Sequence, residues 1–369
     1  MPRSEVTNVK QYKHSLCASK KMTIYAERRK RLLSLAKGKQ VVALTGANMY
    51  YLTDFWGGGA AVVRPDRTVV ITTPLEQDRA KELGHEVEVI IVKGWKLVQE
   101  ALQKELGKRA AVVDDDSSFA GSKLVSKRAD LFLEARRVKD ETEIKRIEMA
   151  SRGLDRIFEA LTSELRPGRT EWDVAAEVMK VATANELTPS GSDSALSPTI
   201  VASGPNGALP HSELTGRKIK RGDFVVADIF FRYQGYNSDE TRTFAVGSAT
   251  TEMKKNYATV LDAQETALDT IREGTVCEDV HMAAVEVLRK AGVEKYLNHS
   301  IGHGVGIDIH EMPPVSKGSK TKLLMNDVVT DEPGIYFPGR YGIRIEDTVK
   351  TGRKPVLLTK FTKELLVVG

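Results

Sequence analysis

Two stretches of the chain, 106 residues apart, repeat the same order of a turn, an amphipathic helix and an acidic hairpin. In the first stretch Gly168 precedes the helical pattern of "EWDVAAEVMK", and in the second Gly274 precedes that of "CEDVHMAAVEVLRK". Each stretch later runs into two strand-like segments joined by a turn. A repeat at a fixed spacing is the signature of a duplicated structural unit. We therefore expect a domain built from two similar halves.

Each half carries a hairpin with two acids set in apolar strands. In "GDFVVADIFFRYQGYNSDETRTF", Asp228 interrupts a run rich in valine, isoleucine and phenylalanine, and Asp239 follows the turn. The second hairpin, "NDVVTDEPGIYFPGRYGIRIEDTV", carries Glu332 and Glu346. Such runs are typical of strands that are buried on both faces. A buried carboxylate without a partner is costly, so these acids need cations or a hydrogen-bond network.

Hairpin geometry predicts which acids meet. Residues equidistant from the turn of an antiparallel hairpin face each other on one side of the sheet. This places Asp228 opposite Asp239, about a turn at residues 233 and 234, and Glu332 opposite Glu346. Two ionised carboxylates about 5 Å apart repel by roughly 3 kcal/mol at an effective dielectric constant of about 20. We therefore expect metal ions between the acids, with Arg344 and Arg242 as supporting partners.

Three histidines are candidates for the same site. His303 in "NHSIGHGVGIDIHEMPP" lies between glycines, which allow the backbone to approach a ligand closely. His310 lies further along this segment, and His211 lies in the loop "IVASGPNGALPHSELTG" just before the Asp228 strand. We expect His303 to bind metal. The remaining histidines are interpreted as ordinary surface or core residues: His14, His85, His281 and His299.

Composition limits the class of protein. The 369 residues have a net charge of +5, with the charges interspersed, and no stretch is long and apolar enough to span a membrane. Nucleic acid and membrane partners are therefore not expected. The two cysteines, Cys17 and Cys277, lie far apart, so we expect no disulfide framework and a cytoplasmic location.

The pattern along the chain predicts two domains. Residues 1–21 are polar and are expected to form a flexible extension. Residues 22–135 alternate helical and strand-like patterns, such as "YAERRKRLLSLAK", "QVVALTG" and "EVEVIIV", which predicts an α/β domain. Residues 136–369 hold the repeat and the acids, and are expected to form the second domain. In the loop "LTDFWGGG" of the first domain, Phe55 and Trp56 are expected to be an exposed aromatic pair, with Trp56 as a core residue of its own domain as the alternative.

Five segments together resemble one known family: "IVASGPNGALPH", "VVADIFFRYQGYNSDETRTF", "IGHGVGIDIHE", "TDEPGIY" and "GIRIED". In this order they are similar to the pita-bread metallopeptidases, in the branch that holds proline dipeptidases (prolidases), aminopeptidase P and creatinase. The resemblance covers the chain from about Met22. It implies an α/β creatinase-like N-terminal domain followed by an α+β pita-bread catalytic domain whose internal repeat is a pseudo-twofold.

The resemblance also implies the chemistry. It implies two divalent metal ions, with Asp228 on one, Asp239 and Glu346 bridging both, and His303 and Glu332 on the second. Manganese or cobalt is usual for such oxygen-rich sites, with zinc as the alternative. The implied reaction is hydrolysis of the bond between an N-terminal residue and proline by a metal-bridging hydroxide.

Further roles follow from the same resemblance. Glu332 is implied as the proton shuttle, and His211 and His310 as groups that stabilise the intermediate or orient the substrate. Trp56 and Arg344 are expected to support substrate binding. In related enzymes the N-terminal domain of one subunit reaches towards the active site of another, so a homodimer is expected.

One position departs from the family pattern. Many prolidases have an arginine after the "HExP" segment that can hold the free carboxylate of a dipeptide, whereas this chain has Pro314. We therefore expect longer Xaa-Pro peptides to be accepted as well as dipeptides. Two alternatives remain open at this point: a pita-bread module that binds without catalysis, and an aminopeptidase that is not directed at proline, such as a methionine aminopeptidase.

Overall fold

A computed structural model of the chain describes residues 23–84, 86–114, 125–190, 197 and 199–369. The extension expected at 1–21 lies outside these residues, as do His14, Cys17 and His85. The chain divides into two compact units, with the division between Arg136 and Arg137. Within the described part of the chain, no helix is long and apolar enough to cross a membrane.

The first unit is built on a mixed six-stranded sheet. Its strands are β1 (Gln40–Ala43), β2 (Ala60–Val63), β3 (Thr68–Thr72), β4 (Val87–Ile91), β5 (Ala111–Val113) and β6 (Val125–Lys127). Their order is β4-β3-β2-β1-β5-β6. Its helices are α1 (Ile24–Leu35), α2 (Gly46–Thr53), α3 (Gln77–Lys81), α4 (Trp95–Leu106) and α5 (Ala129–Arg137). The apolar face of α4 packs on this sheet through Val98, Leu102 and Leu106. The α/β prediction for this part of the chain is confirmed.

The aromatic pair in the first unit is only partly as predicted. Trp56 is 38% exposed, and its ring lies 5.6 Å from that of Tyr50. Phe55 is 3% exposed, so the prediction of two exposed rings is wrong for this residue. The reason is local, since Asp54 ends α2 in a left-handed conformation and Phe55 then joins the core while Trp56 turns outward.

The second unit contains two pairs of helices and two main sheets. Its helices are α6 (Glu141–Glu164), α7 (Glu171–Ala184), α8 (Thr251–Leu268) and α9 (Cys277–Lys290). The first sheet contains β7 (Thr188–Pro189), β8 (Thr199–Ser203), β9 (Phe224–Tyr233), β10 (Tyr236–Val246) and, at its edge, the C-terminal strand Val367–Val368. The second contains β11 (Gly302–Gly304), β12 (Glu311–Val315), β13 (Val328–Asp331) and, further along the chain, the strands Asp347–Lys350 and Val356–Leu357.

A two-stranded ribbon completes the strand set. It is formed by β14 (Gly334–Phe337) and β15 (Tyr341–Arg344). The last three strands of the chain, already placed in the two main sheets, are named β16 (Asp347–Lys350), β17 (Val356–Leu357) and β18 (Val367–Val368).

The starts of helices α6 and α7 agree with their sequences, because each begins with a capping box, Asp140 with Glu143 and Thr170 with Asp173. Each box satisfies amide groups that would otherwise lack partners at the helix start.

The repeat seen in the sequence is present in the structure. Helices α7 and α9 begin 106 residues apart and have the same length, 14 residues. Gly168 (φ 94°) and Gly274 (φ 88°) both take the left-handed conformation just before them. One apolar core packs α6 and α7 on β8, β9 and β10, and another packs α8 and α9 on the second half. The predicted two-half architecture is therefore confirmed.

Candidate metal centre

The first acidic hairpin turns one residue later than expected. Gln234 and Gly235 form its two-residue turn, both with positive φ. Asp228 consequently pairs with Thr241, so the predicted direct pairing with Asp239 is wrong. The pairing differs by two residues, and side chains alternate along a strand with a period of two. Both acids therefore still lie on the same face of the sheet.

The second acidic hairpin has the predicted register. Asp331 pairs with Asp347 across β13 and β16, so Glu332 and Glu346 are the next pair along. This hairpin joins the first one at Glu346, whose backbone N–H donates to the carbonyl oxygen of Thr241 at 3.0 Å. The two halves of the repeat thus bring their acidic faces together at the centre of the second unit.

Ligand atoms of Asp239, His303 and Glu346 lie within 4.8 Å of one another. The Nε2 atom of His303 is 3.9 Å from Asp239 Oδ2 and 3.5 Å from Glu332 Oε1. Burial, then the charge of Glu346 and then that of Asp228 raise the pKa of Asp239, so Asp228 lies close to this group. The structure therefore brings together the predicted set of four acids and one histidine.

The electrostatics of this cluster favour a cation. Burial, followed by the neighbouring carboxylates, raises the pKa of Asp239 and of Glu346 well above the ordinary range. Burial raises the pKa of Glu332 to about 7 against the opposing charge of Arg344. Burial also lowers the pKa of His303 to about 3, which keeps its imidazole neutral and able to bind a metal. Burial is the largest cause of all four shifts, because it disfavours the charged form of each group.

Several carboxylate oxygens of the cluster are buried without a hydrogen-bond partner among the described residues. Among the described residues, Asp228 Oδ1, Asp239 Oδ1 and Glu346 Oε1 are buried and accept no hydrogen bond. Buried polar atoms without partners are rare in native proteins unless a ligand or water satisfies them. Carboxylate oxygens with one imidazole are a donor set that suits divalent ions such as manganese. The residues present therefore fit the metal centre that the motifs imply.

Neighbouring groups hold these ligands in place. Thr241 Oγ1 donates to Glu346 Oε2 at 2.6 Å, and Thr330 Oγ1 donates to Glu332 Oε1 at 3.3 Å. The backbone N–H of His303 donates to Thr330 Oγ1 at 3.0 Å. The glycine on the N-terminal side of His303, Gly302, leaves no room for a side chain, because a Cβ there would overlap the carbonyl of Thr330. Such supporting contacts orient metal ligands and tune their affinity.

The other predicted histidines lie near the cluster. His310 is exposed, and its ring centroid is 4.3 Å from that of His303 in an edge-to-face arrangement. His211 is also exposed, and it follows Pro210, whose carbonyl accepts from Arg344 at 3.3 Å. Arg344 in turn forms a buried ion pair with Asp228, which places its guanidinium beside the acidic cluster.

One further histidine was missed by sequence reasoning. His299 Nε2 lies 2.8 Å from the hydroxyl of Tyr336, and that hydroxyl accepts from Arg344 at 2.7 Å. Burial, followed by the charge of Arg344, lowers the pKa of His299 to about 4. Arg344 also pairs with Asp228, so this series of contacts connects His299 to Asp228. Strand alternation from Glu332 could have placed Tyr336 on the site face, but no local pattern indicates His299.

Arg242 lies behind the candidate metal site. Its guanidinium forms ion pairs with Glu240 and Asp347 at 2.9 and 2.8 Å. These residues directly follow Asp239 and Glu346, and neighbouring strand residues point to opposite faces of the sheet. The Arg242 side chain therefore neutralises acids on the reverse face, and its Nη1 also donates to the backbone carbonyls of Thr241 and Glu346, so it supports the site through the backbone.

The comparisons with known proteins agree with this site. Residues 145–351 match the model for metallopeptidase family M24, and residues 28–131 match that for the creatinase/prolidase N-terminal domain. An Xaa-Pro dipeptidase from Pyrococcus horikoshii is 34% identical over 362 residues, which cover 94% of this chain and 100% of the relative.

Solved structures show the same two-domain fold. A structure of an Xaa-Pro dipeptidase from Bacillus anthracis has a TM-score of 0.86 at 30% identity, covering 93% of this chain and 100% of that one. An X-Pro aminopeptidase from Thermotoga maritima has a TM-score of 0.82 at 28% identity, covering 92% and 99%. The resemblance inferred from the five motifs is confirmed. With its acids and histidine assembled in one buried cluster, the chain belongs to metallopeptidase family M24.

Proposed function

We propose that this protein is a metallo-exopeptidase that cleaves the bond between an N-terminal residue and proline, using two divalent metal ions. The observation that carries the proposal is the convergence of ligand atoms from Asp239, His303 and Glu346 within 4.8 Å. The names of its relatives, Xaa-Pro dipeptidase and X-Pro aminopeptidase, support the substrate class. Retention of a complete acid and histidine set argues against a module that only binds.

Each ligand is given a role in this proposal. Asp228 would hold one ion, His303 and Glu332 would hold the second, and Asp239 and Glu346 would serve both. When bound, two such ions activate a water molecule as nucleophile and polarise the scissile carbonyl. Manganese or cobalt suits the oxygen-rich donor set, with zinc as the alternative. Arg344 orients Asp228 through their buried ion pair.

The chain's own groups then handle protons and substrate. Glu332 lies beside the nucleophile's position and accepts its proton, which it can pass to the leaving amine. His310, stacked edge-on against His303, and His211 face the substrate from exposed positions and donate to the oxygen that becomes negative. Proline lacks the backbone N–H that other residues carry. A site that offers no acceptor for this N–H therefore favours proline over other residues.

The first test concerns peptide length. Pro314 is exposed and offers no charge to the carboxylate of a dipeptide, so we expect peptides extended beyond proline to be cleaved as well as dipeptides. The measurement compares kcat/KM for an Xaa-Pro dipeptide with that for the same sequence extended by two or three residues. A preference for the dipeptide of about tenfold or more, about 1.4 kcal/mol, would show that another basic residue holds the carboxylate. Arg344 would be the first residue to test for that role.

A second test concerns assembly. We infer that the protein is a homodimer in which Trp56 supports substrate binding, because its ring is 38% exposed on a loop whose neighbour Phe55 is buried. Trp56→Ala is expected to raise KM several-fold while changing the melting temperature little. Phe55→Ala is the matched control, expected to lower the melting temperature by removing a core ring. A fully active monomer in light scattering would refute the inference.

The domain limits and the location are proposals of the same kind. We propose domains at 22–135 and 136–369, preceded by an extension at 1–21, in a cytoplasmic protein. The buried thiol of Cys277, whose pKa burial raises to about 11, supports a protein without disulfides.

A further inference from the structure

The segment from His303 to His310, here called the histidine loop, carries two histidines of the site at its ends. Between them the backbone is irregular, so its shape depends on contacts from outside. Asn237, two residues before Asp239, holds the middle of the loop. Its backbone N–H and its Nδ2 donate to the carbonyl of Gly306 at 2.8 and 3.0 Å, and Nδ2 also donates to the carbonyl of Ile307 at 2.8 Å.

The C-terminal end of the histidine loop is closed by Glu311. Its Oε1 accepts from the backbone N–H of Asp308 at 3.1 Å. Its carboxylate lies flat against Gly306, where a Cβ would clash with both oxygens. Glu311 directly follows His310 in the sequence. The contacts of its carboxylate therefore fix the backbone next to His310.

The carboxylate of Glu311 is paired with Lys139. The Nζ atom of Lys139 lies 2.9 Å from Glu311 Oε2, and both side chains are 1% exposed. Lys139 itself is anchored, because its backbone N–H donates to the carbonyl of Asn326 at 3.0 Å and helix α6 begins two residues later. An ion pair this far from water is not screened by solvent, so removing one partner leaves the other charge buried.

We propose that Lys139 is a positioning residue of the active centre, acting through Glu311 to hold the histidine loop in the shape that places His303 and His310. Lys139 touches neither the metal cluster nor a substrate. Without its charge, the buried carboxylate of Glu311 loses its ion-pair partner, and the hydrogen bond to Asp308 is altered. The inference rests on the proposed metal centre, because it assigns His303 to the metal.

Lys139→Met tests this proposal, with Arg137→Met as the matched control. Arg137 lies on the same segment and pairs with the fully buried Asp327, but that pair fixes residues 322–327 and not the histidine loop. Lys139→Met is expected to lower kcat, with KM little changed, and to weaken Mn²⁺ binding by about 10- to 100-fold, as for other groups that support metal ligands. Arg137→Met is expected to lower the melting temperature by a similar amount and to keep kcat and the Mn²⁺ affinity near wild type.

Mn²⁺ binding is measured by the electron paramagnetic resonance signal of the free ion, which does not depend on turnover. Lys139→Arg restores the charge and is expected to recover most of the Mn²⁺ affinity. If Lys139→Met does not fold, Glu311→Gln replaces it, since the amide keeps the shape and removes the charge. The proposal would be overturned if kcat and the Mn²⁺ affinity of Lys139→Met, or of Glu311→Gln, were within twofold of those of Arg137→Met. Failure of the wild type itself to bind Mn²⁺ would instead refute the proposed metal centre.

Discussion

Replacing Glu346 by glutamine is expected to lower kcat/KM at least a thousandfold and to remove at least one metal ion per chain. Glu346 reaches the ligand cluster from one half of the repeat, and its Oε1 is buried without a hydrogen bond among the described residues. An amide offers a weaker, neutral donor in the same place. A loss of several kcal/mol of metal-derived stabilisation corresponds to about three powers of ten in rate. Asp239→Asn is expected to behave in the same way.

Glu240→Gln is the matched control for Asp239→Asn. Glu240 is the next residue on β10 and is equally buried, but it faces Arg242 on the reverse side of the sheet. We expect this variant to keep its metal content and to retain activity within a few-fold of wild type. The role given to the acidic face would be contradicted if the two variants lost metal and activity to the same extent.

Removing the metals is expected to lower the melting temperature by about 10 °C. Ions that bind only the folded state add about 4 kcal/mol when present at a thousand times their dissociation constant. For a domain of about 200 residues, each kcal/mol corresponds to about 2–4 °C. Bound ions would also offset the burial and the mutual repulsion of these acids, the two causes that raise the pKa of Asp239 and Glu346.

This explanation predicts that the difference in melting temperature between Glu346→Gln and the wild type changes sign when the metal is removed. With metal, the variant is expected to melt below the loaded wild type, because it has lost a ligand. After treatment with a chelator, it is expected to melt at or above the wild type, because one buried negative charge has been removed. Differential scanning calorimetry of the four samples checks this. A chelated variant that melts well below the chelated wild type would mean that Glu346 has a structural role independent of metal.

The sequence brought the four acids to one face because strand alternation tolerates an error of two residues in the pairing. The turn of the first hairpin falls at Gln234 and Gly235, one residue later than expected, and the opposition of Asp228 and Asp239 was therefore wrong. Both acids nevertheless lie on the same face of the sheet, as predicted. An error of one residue in the pairing would have turned one acid to the reverse side.

Features that depend on distant contacts could not be predicted in this way. The chain from His299 through Tyr336 and Arg344 to Asp228 joins segments more than a hundred residues apart. The buried pair of Lys139 and Glu311 does the same. Long charged side chains usually reach water, so sequence alone favours an exposed position for them. Only the packed structure shows which charges are held inside.

The number of ions bound per chain tests the central claim most directly. Protein stripped by a chelator is titrated with Mn²⁺ while bound metal and Xaa-Pro hydrolysis are followed together. We expect saturation at about two ions per chain, as in other sites where two metals share one water, with full activity only after the second has bound. Saturation and full activity at one ion per chain would contradict the two-metal centre.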